Sequence, residues 1–418
     1  MAIKSIGNTI LSILTALIIV GISFTVIAYG RGYRLDFTNK SFGTTGLFAV
    51  TSDPTGAQIF IDAKPKGATN TNLNIAPGWY TVTIVKNGFQ PWEKRMRVQG
   101  EVLTRVDPML FSSNPSLFAL TSTGVMNPTL SPDGTKLGYD VPEAPIATMG
   151  AQMVSRAGIW VLDLVDKPLG MNRDARQIVK KEQLDTDGAV LVWSPDSKQI
   201  LLTTQTNESY LLESDRTNDV PKFVVDLPAL FKDWEELRQA KSKEKLLSLK
   251  EDAMHVATAS MKILSFSPDE TKILYEASQS ATLPILIDPP LIGTNPTEEV
   301  RTIKQGNLYV YDVKEDRNYA ISAVQPIKIT PPANQQPAIS NQQLSPIQWL
   351  PTSRHLLITG KDKVEVMDCD GTNRKTVYAG PFWDGFVAPW GNAGRIVILT
   401  NLNPAAQTAN NLYAVNIR

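Results

Sequence analysis

The feature that most constrains this chain is a phrase that recurs with variation along much of its length. It reads WSPDSKQILLTT from Trp193, LSPDGTKLGYD from Leu130, FSPDETKILYEA from Phe266 and, in worn form, WLPTSRHLLITG from Trp349. A fifth copy, PWGNAGRIVILTN from Pro389, aligns when Trp390 takes the place of the serine. In that register the first apolar residue of the following strand always falls six positions on: Leu137, Ile200, Ile273, Leu356 and Ile396. Each copy is an apolar residue, a tight polar turn and a short β-rich run. Proline fixes φ for the turn, and the following Asp with Gly or Ser supplies local side-chain hydrogen bonds. A second run follows each copy (GIWVLDL, ESYLLES, NLYVYDV, KVEVMDC, NLYAVNI), alternating or nearly so, as half-buried strands do. Repeated hairpins of this kind predict a β-propeller, so the expected class is all-β.

The spacing of the copies shows where the repeats are interrupted. Counted from Ser131, Ser194, Ser267, Leu350 and Trp390, the intervals are 63, 73, 83 and 40 residues. A four-stranded blade takes roughly 40–45 residues, so the last interval is a bare blade and the others carry insertions. These fall at Pro142–Ala157, at Pro228–Ala253, and at Ala281–Lys304 together with Thr330–Ser345. The last two, rich in Pro, Thr, Asn and Gln, read as irregular loops. Pro228–Asp252 reads as helix instead. Leu230, Trp234 and Leu237 share one stripe, which Leu246 and Leu249 resume after a charged middle. Two readings follow. The helix is a docking arm with Leu230, Trp234 and Leu237 as candidate partner-binding residues, or it is a lid packed on its own propeller. An exposed Trp/Leu stripe favours aggregation, which speaks for the lid. The stretch SLFALTS (Ser116–Ser122) has no hairpin partner nearby and reads as the outer strand completing the last blade, whose edge is otherwise bare. Five blades are visible, and the insertions leave room for a degenerate sixth.

Residues 9–29, TILSILTALIIVGISFTVIAY, carry no charge. As a helix they span about 30 Å, the thickness of a hydrocarbon core, and the expectation is an uncleaved transmembrane helix behind a tail of residues 1–8. The alternative is a signal peptide cut before Tyr29 and a secreted chain. Signal-peptide apolar cores usually run about 7–15 residues, which favours the anchor. Lys4 flanks one side and Arg31, Arg34 and Lys40 the other, a count that favours a cytoplasmic bulk. Long C-terminal domains, however, translocate largely regardless of charge, and the expected location is a single-pass cell-membrane protein with its bulk outside.

Two resemblances add to this. Ser-Pro-Asp-Gly followed by an apolar strand and a strand ending in Asp resembles the repeat of TolB-type propellers over residues 116–418. That family has binding platforms and peptidase accessory domains among its members and more often has six blades. After a linker over 30–46, residues 47–111 read as strands and turns. There Pro54-Thr55-Gly56-Ala57, Pro77-Gly78 and Lys86-Asn87-Gly88-Phe89 resemble a PEGA domain, a small β-sandwich common in surface proteins. Ala63 stands where that family usually has Gly, and Asn72 near a usual Pro; both are expected in turns. Trp79, Tyr80, Phe89 and Trp92 suggest a sugar-stacking platform or, in so small a sandwich, core and edge packing.

Little catalytic chemistry is legible. Lys plus Arg and Asp plus Glu both number 41, so the net charge is zero, which argues against a nucleic-acid partner, since that needs a basic footprint. A single cysteine, Cys369, excludes an internal disulfide and a Cys-cluster metal site. His255 and His355 lie in different copies, and His355 reads as a surface or strand-initiating residue. No Gly-x-Ser-x-Gly elbow and no phosphate-cradling glycine loop is present. Asp368-x-Asp370-Gly371 hints at calcium, but Ala379 stands where the loop needs an acid, so a hairpin turn is expected. Asp133, Asp196 and Asp269 read as turn residues; Trp193, Phe266 and Trp349 read as packing between blades. The expectation is a non-catalytic cell-surface binding or scaffold protein without metal or cofactor. Its partner is an envelope protein or a cell-wall polysaccharide. A hydrolase or lyase, and a sensory subunit, are the alternatives.

Overall fold

Strand follows from the alternation in almost every segment where it was expected, and the strands assort into two separate units. The computed structural model describes the backbone of residues 2–30, 33–36, 41–143, 156–166, 175–247, 251–321, 345–383, 385–402 and 409–418. The side chains of 2–12, 29, 33–36, 41–44, 247, 252–253 and 255–257 are not among those described. Most of the expected insertions 142–157 and 330–345, and Leu249, therefore lie outside the described residues, as does the side chain of His255. One unit comprises Met1–Leu110 with Pro289–Thr297, the other Phe111–Asp288 with Glu298–Arg418.

The first unit begins with helix α1 (Ala2–Gly30). Its described apolar side chains from Ile13 to Ile27 are exposed. No helix among the described residues is long and apolar enough to cross a membrane; the first residues of the expected span 9–29 fall among the undescribed side chains. The expected linker is not wholly irregular, since Tyr33–Asp36 pairs with Ser41–Thr44. Next comes a small two-sheet sandwich. One sheet runs Lys64–Ala68, Gln58–Ile61, Gly78–Val85, Trp92–Val98; the other runs Thr71–Ile75, Gly46–Val50, Leu103–Val106. The pairing of Gly46–Val50 with Leu103–Val106 is parallel. Alternation puts Ile59, Ile61, Val82, Ile84, Met96 and Val98 of one sheet against Phe48, Val50 and Val106 of the other, all buried. Ala63 adopts φ 62°, the left-handed turn conformation that a glycine takes without strain. Asn72 lies within a strand, paired with Ala49, and not in a turn.

The second unit holds five four-stranded antiparallel sheets in succession. The first is Met126–Leu130, Lys136–Val141, Gly158–Asp163, Arg176–Lys180; the second Val190–Trp193, Gln199–Thr203, Ser209–Glu213, Lys222–Phe223. The third is Met261–Phe266, Lys272–Ala277, Leu308–Asp312, Arg317–Ala320; the fourth Ile347–Trp349, His355–Thr359, Lys363–Asp368, Lys375–Ala379. The fifth is Val387–Pro389, Arg395–Thr400, Asn411–Asn416, and its outer strand is Ser116–Ala119 from the start of the unit. None of these sheets closes on itself into a barrel.

The turn phrase sets one register five times: Leu130 opposite Leu137, Trp193 opposite Ile200, Phe266 opposite Ile273, Trp349 opposite Leu356, Pro389 opposite Ile396. The fourth turn residue is left-handed in every copy, with φ of 72° at Gly134, 62° at Ser197, 59° at Glu270, 58° at Ser353 and 56° at Ala393. Sheets then pack face to face. Leu137, Tyr139 and Leu162 of the first meet Ala388, Val397 and Leu412 of the fifth. Ile159 and Val161 of the first meet Trp193, Ile200 and Leu202 of the second. Leu274 and Val310 of the third meet Trp349, Leu356 and Met367 of the fourth. Gln348 of the fourth donates from Nε2 to the Val387 carbonyl of the fifth at 2.8 Å.

Candidate functional site

The helical insertion is two helices, α2 (Leu227–Leu247) and α3 (Glu251–Ser260). Asp226 caps the first, its Oδ1 accepting from the Ala229 amide at 2.9 Å. The candidate stripe does not face solvent as a unit. Trp234 is 6% exposed and packs with Val192 and Leu201 of the second sheet, and half-buried Leu230 and Phe231 join it there. Only Leu237, 39% exposed, stays partly free. A side chain as buried as Trp234 cannot at the same time enter a partner's pocket, so Trp234 is a packing residue, and Leu230 packs beside it. Further along α2, Lys241 donates from Nζ to the Pro195 carbonyl in the second sheet's turn at 3.0 Å. Lys245 pairs with Glu270 in the third sheet's turn at 2.9 Å and sits over the Phe266 ring. Leu246 and Met254 pack on the third sheet's core. The insertion is thus a wedge held to the second and third sheets.

The recurrent acids do turn work. Ser131, Ser194 and Ser267 each donate from Oγ to Asp133, Asp196 and Asp269 at 2.6 Å. Each serine oxygen also accepts an amide five residues on, from Lys136, Gln199 and Lys272. Burial alone would raise the Asp196 and Asp269 pKa values, but the serine hydroxyl and the backbone amides outweigh it and hold both below the ordinary value. A cross-sheet latch accompanies the turns. The Asp133 amide donates to Ser197 Oγ at 3.1 Å and the Asp269 amide to Ser353 Oγ at 3.0 Å. Glu270 occupies the serine's position at the seam between the second and third sheets, where the wedge holds it instead.

The remaining candidates are structural as well. His355 starts a strand but is buried, not at the surface; its Nδ1 shares a proton with Thr352 Oγ1 at 2.8 Å, and Asp368 lies 3.5 Å from Nε2. Cys369 is buried, and burial pushes its thiol up to about 12, far from a reactive thiolate. Asp370 accepts from the Thr372 amide and hydroxyl, and Asp368 from Asn373, so this loop is a hydrogen-bonded turn. Among the described residues no cluster of three or more His, Cys, Asp or Glu side chains could hold a metal.

Two buried acids escaped the sequence reading. Asp316 accepts from the Leu286 and Ile287 amides at 2.7 and 3.0 Å, from Tyr311 at 2.8 Å and from Arg301 at 3.0 Å. Burial opposes its charge, but Arg301 and Tyr311 prevail and keep its pKa low. This node pins the insertion between the second and third strands of the third sheet. Asp140, 1% exposed, is the opposite case: among the described residues neither carboxylate oxygen nor the neighbouring Thr186 hydroxyl has a partner of hydrogen-bond geometry. Burial pushes its pKa up to about 6; the adjacent Thr186 hydroxyl opposes the rise, Asp187 adds to it and Lys181 opposes it. The aligned positions are Thr203, Glu276, Thr359 and Leu399, so four of the five copies are polar there, a pattern that the sequence did offer.

Of the four aromatics singled out in the small sandwich, Trp92 is core, and Tyr80 and Phe89 are half-buried against it. Trp79 alone is exposed, at 47%.

Residues 45–110 match the PEGA domain family. No curated protein matches the chain in sequence. Among solved structures, TolB from Acinetobacter baumannii aligns with 13% identity and a TM-score of 0.19, over 94% of this chain and 68% of that one. An oligogalacturonate lyase in complex with manganese aligns with 10% identity and a TM-score of 0.25, over 74% of this chain and 96% of that one. The Cps50 (Swd1) β-propeller domain of Myceliophteria thermophila aligns with 9% identity and a TM-score of 0.23, over 73% of this chain and 99% of that one. Scores at this level transfer no activity. The chain is therefore an all-β protein with a PEGA domain and five repeated sheets.

Proposed function

We propose that this is a non-catalytic binding or scaffold protein of the cell envelope, held by α1 in the membrane and presenting its sheets outside. The carrying observation is how its side chains are used. Repeat residues are spent mostly on turns, latches and sheet-to-sheet packing, whereas the most exposed of the large apolar side chains described in the second unit lie off the strands, at Val225, Val220, Ile285 and Trp383. Loops displayed on a rigid scaffold are where binding residues tend to lie. The five sheets form a ring in this reading, a five-bladed propeller sealed by Ser116–Ala119. The uncharged run 9–29, the continuous helix and its exposed apolar flank support the anchor. The partners are an envelope protein or a cell-wall polysaccharide.

Two measurements test this. Carbonate extraction should leave the full chain in the membrane pellet, and protease added to intact spheroplasts should digest the large domain. Release by carbonate or a mature chain starting at Tyr29 removes the anchor; full protection places the domain inside. A photo-crosslinker at Ile285 should capture an envelope component in intact cells, and one at the exposed charged face of α2, at Glu236, should not. Equal capture from both positions removes the insertion-display reading.

A further inference from the structure

The outer face of the four-stranded sheet in the PEGA domain carries a cluster that packing does not explain. Alternation along Gly78–Val85 sends Tyr80, Val82 and Ile84 inward and Trp79, Thr81 and Thr83 outward. On the neighbouring edge strand Trp92–Val98, Glu93, Arg95 and Arg97 point the same way. The register sets Trp79 directly opposite Arg97 and Thr81 opposite Arg95. Arg95 lies 5.1 Å and Arg97 6.0 Å from the Trp79 ring centre. Each guanidinium is thereby held beside the indole by a cation–π contact, on side chains exposed to solvent. Trp79, Arg95 and Arg97 are all exposed. An exposed tryptophan beside two arginines on a flat sheet offers a stacking surface together with paired anion donors.

We propose that Trp79, Arg95 and Arg97 form a binding site for an acidic polysaccharide, with the sugar ring's C–H face against the indole and its carboxylates paired with the two guanidiniums. The inference rests on the envelope-binding reading and names the partner class for the glycan arm of it. Planar bidentate donors match carboxylates. A lipid surface fits less well. Insertion into headgroups needs a broad apolar face, and here the outward residues around Trp79 are Thr81, Arg95 and Arg97, with the half-buried Phe60 and Val85 four to six residues along the face. Thr83 donates its hydroxyl to Glu93 at 3.0 Å, which keeps that carboxylate turned toward its own sheet. A single such site is weak; a polymer gains from rebinding along its length.

The test uses the full-length protein in detergent micelles with alginate as the polyuronate, dextran as the neutral glucan, and phosphatidylglycerol vesicles. Alginate should bind, dextran should not, and raising salt from 50 to 300 mM should weaken alginate binding several-fold. Trp79→Ala, and Arg95→Gln with Arg97→Gln, should each weaken it at least tenfold at unchanged thermal midpoint, and Trp79→Phe should restore part of the loss. Alginate binding that is absent from the wild type, or equal in wild type and variants, overturns the site. Binding to vesicles but not to alginate overturns it in favour of the membrane. Crosslinking from Ile285 reads the other unit, so its survival in the Trp79→Ala protein separates failure of this site from failure of the envelope-binding reading.

Discussion

One hydroxyl shows how a repeated turn joins its neighbours. Ser197 and Ser353 occupy the same turn position and each receives an amide from the preceding turn phrase of a packed sheet, from Asp133 and Asp269. Ser197→Ala or Ser353→Ala should each destabilise the second unit by about 1 kcal/mol, the net value of one such bond; unchanged denaturation midpoints would show the latch to be idle. Ala393, which has no hydroxyl at that position, is the control for position without latch. Asp140 makes a pH prediction. Its folded pKa, about 6, lies above the ordinary unfolded value, so the folded state binds the proton more tightly. The associated stability is present below about pH 4 and lost as pH rises through 6, a loss of up to about 2–3 kcal/mol. Asp140→Asn removes the titration. Melts at pH 4.5, 6 and 7.5 should fall with pH in the wild type more steeply than in the variant, and parallel curves would refute the assignment.

Among the elements, α2 carries the largest difference between expectation and structure. Its stripe predicted one buried side, and the structure supplies the covering surface: Trp234 lies on Val192 and Leu201. Amphipathic spacing tells that a face is covered but not by what, so docking arm and lid both fitted the stripe, and the aggregation argument favoured the lid. The hairpins were legible because each is fixed by contacts within about a dozen residues, a turn residue at left-handed φ and one register pair. Trp79 was legible in principle, since alternation forbids it from sharing the inner face with Tyr80. The Asp316–Arg301 node was not, because it joins a strand end to a loop without any repeated pattern. Trp234→Ala should cost about 3–5 kcal/mol as a large cavity in a packed seam, and Leu237→Ala less than about 1 kcal/mol as a surface change. Comparable losses in chemical denaturation would mean that α2 is not seated by its tryptophan. Asp316→Ala leaves Arg301 with Glu299 and takes the acceptor from the Leu286 and Ile287 amides and the Tyr311 hydroxyl, and should cost about 1–3 kcal/mol, with the loop near Ile285 becoming protease-sensitive first. An unaltered cleavage pattern would remove the node from that role.

For the whole second unit, the question is what completes the fifth sheet. Its outer strand comes from the opposite end of the unit: Ser116 pairs with Asn416, and Ala119 with Tyr413. Thr121 extends the seam, its Oγ1 accepting the Leu412 amide at 2.9 Å, and the Ser112 amide donates to the Ile417 carbonyl at 2.9 Å. Phe111 lies edge-on to His355 with ring centres 5.6 Å apart, so the unit begins at Phe111, a few residues before the expected 116. A chain starting at Phe111 keeps all of these contacts. One starting at Gly124 loses them and leaves Asn411–Asn416 as a bare edge, a template for aggregation. The longer chain should unfold in one cooperative transition, and the shorter one should aggregate or melt broadly. A synthetic peptide of residues 111–123 added to the shorter chain should restore the sharp transition by refilling the edge. If the two chains melt alike, the fifth sheet is stable with three strands and does not depend on Ser116–Ala119.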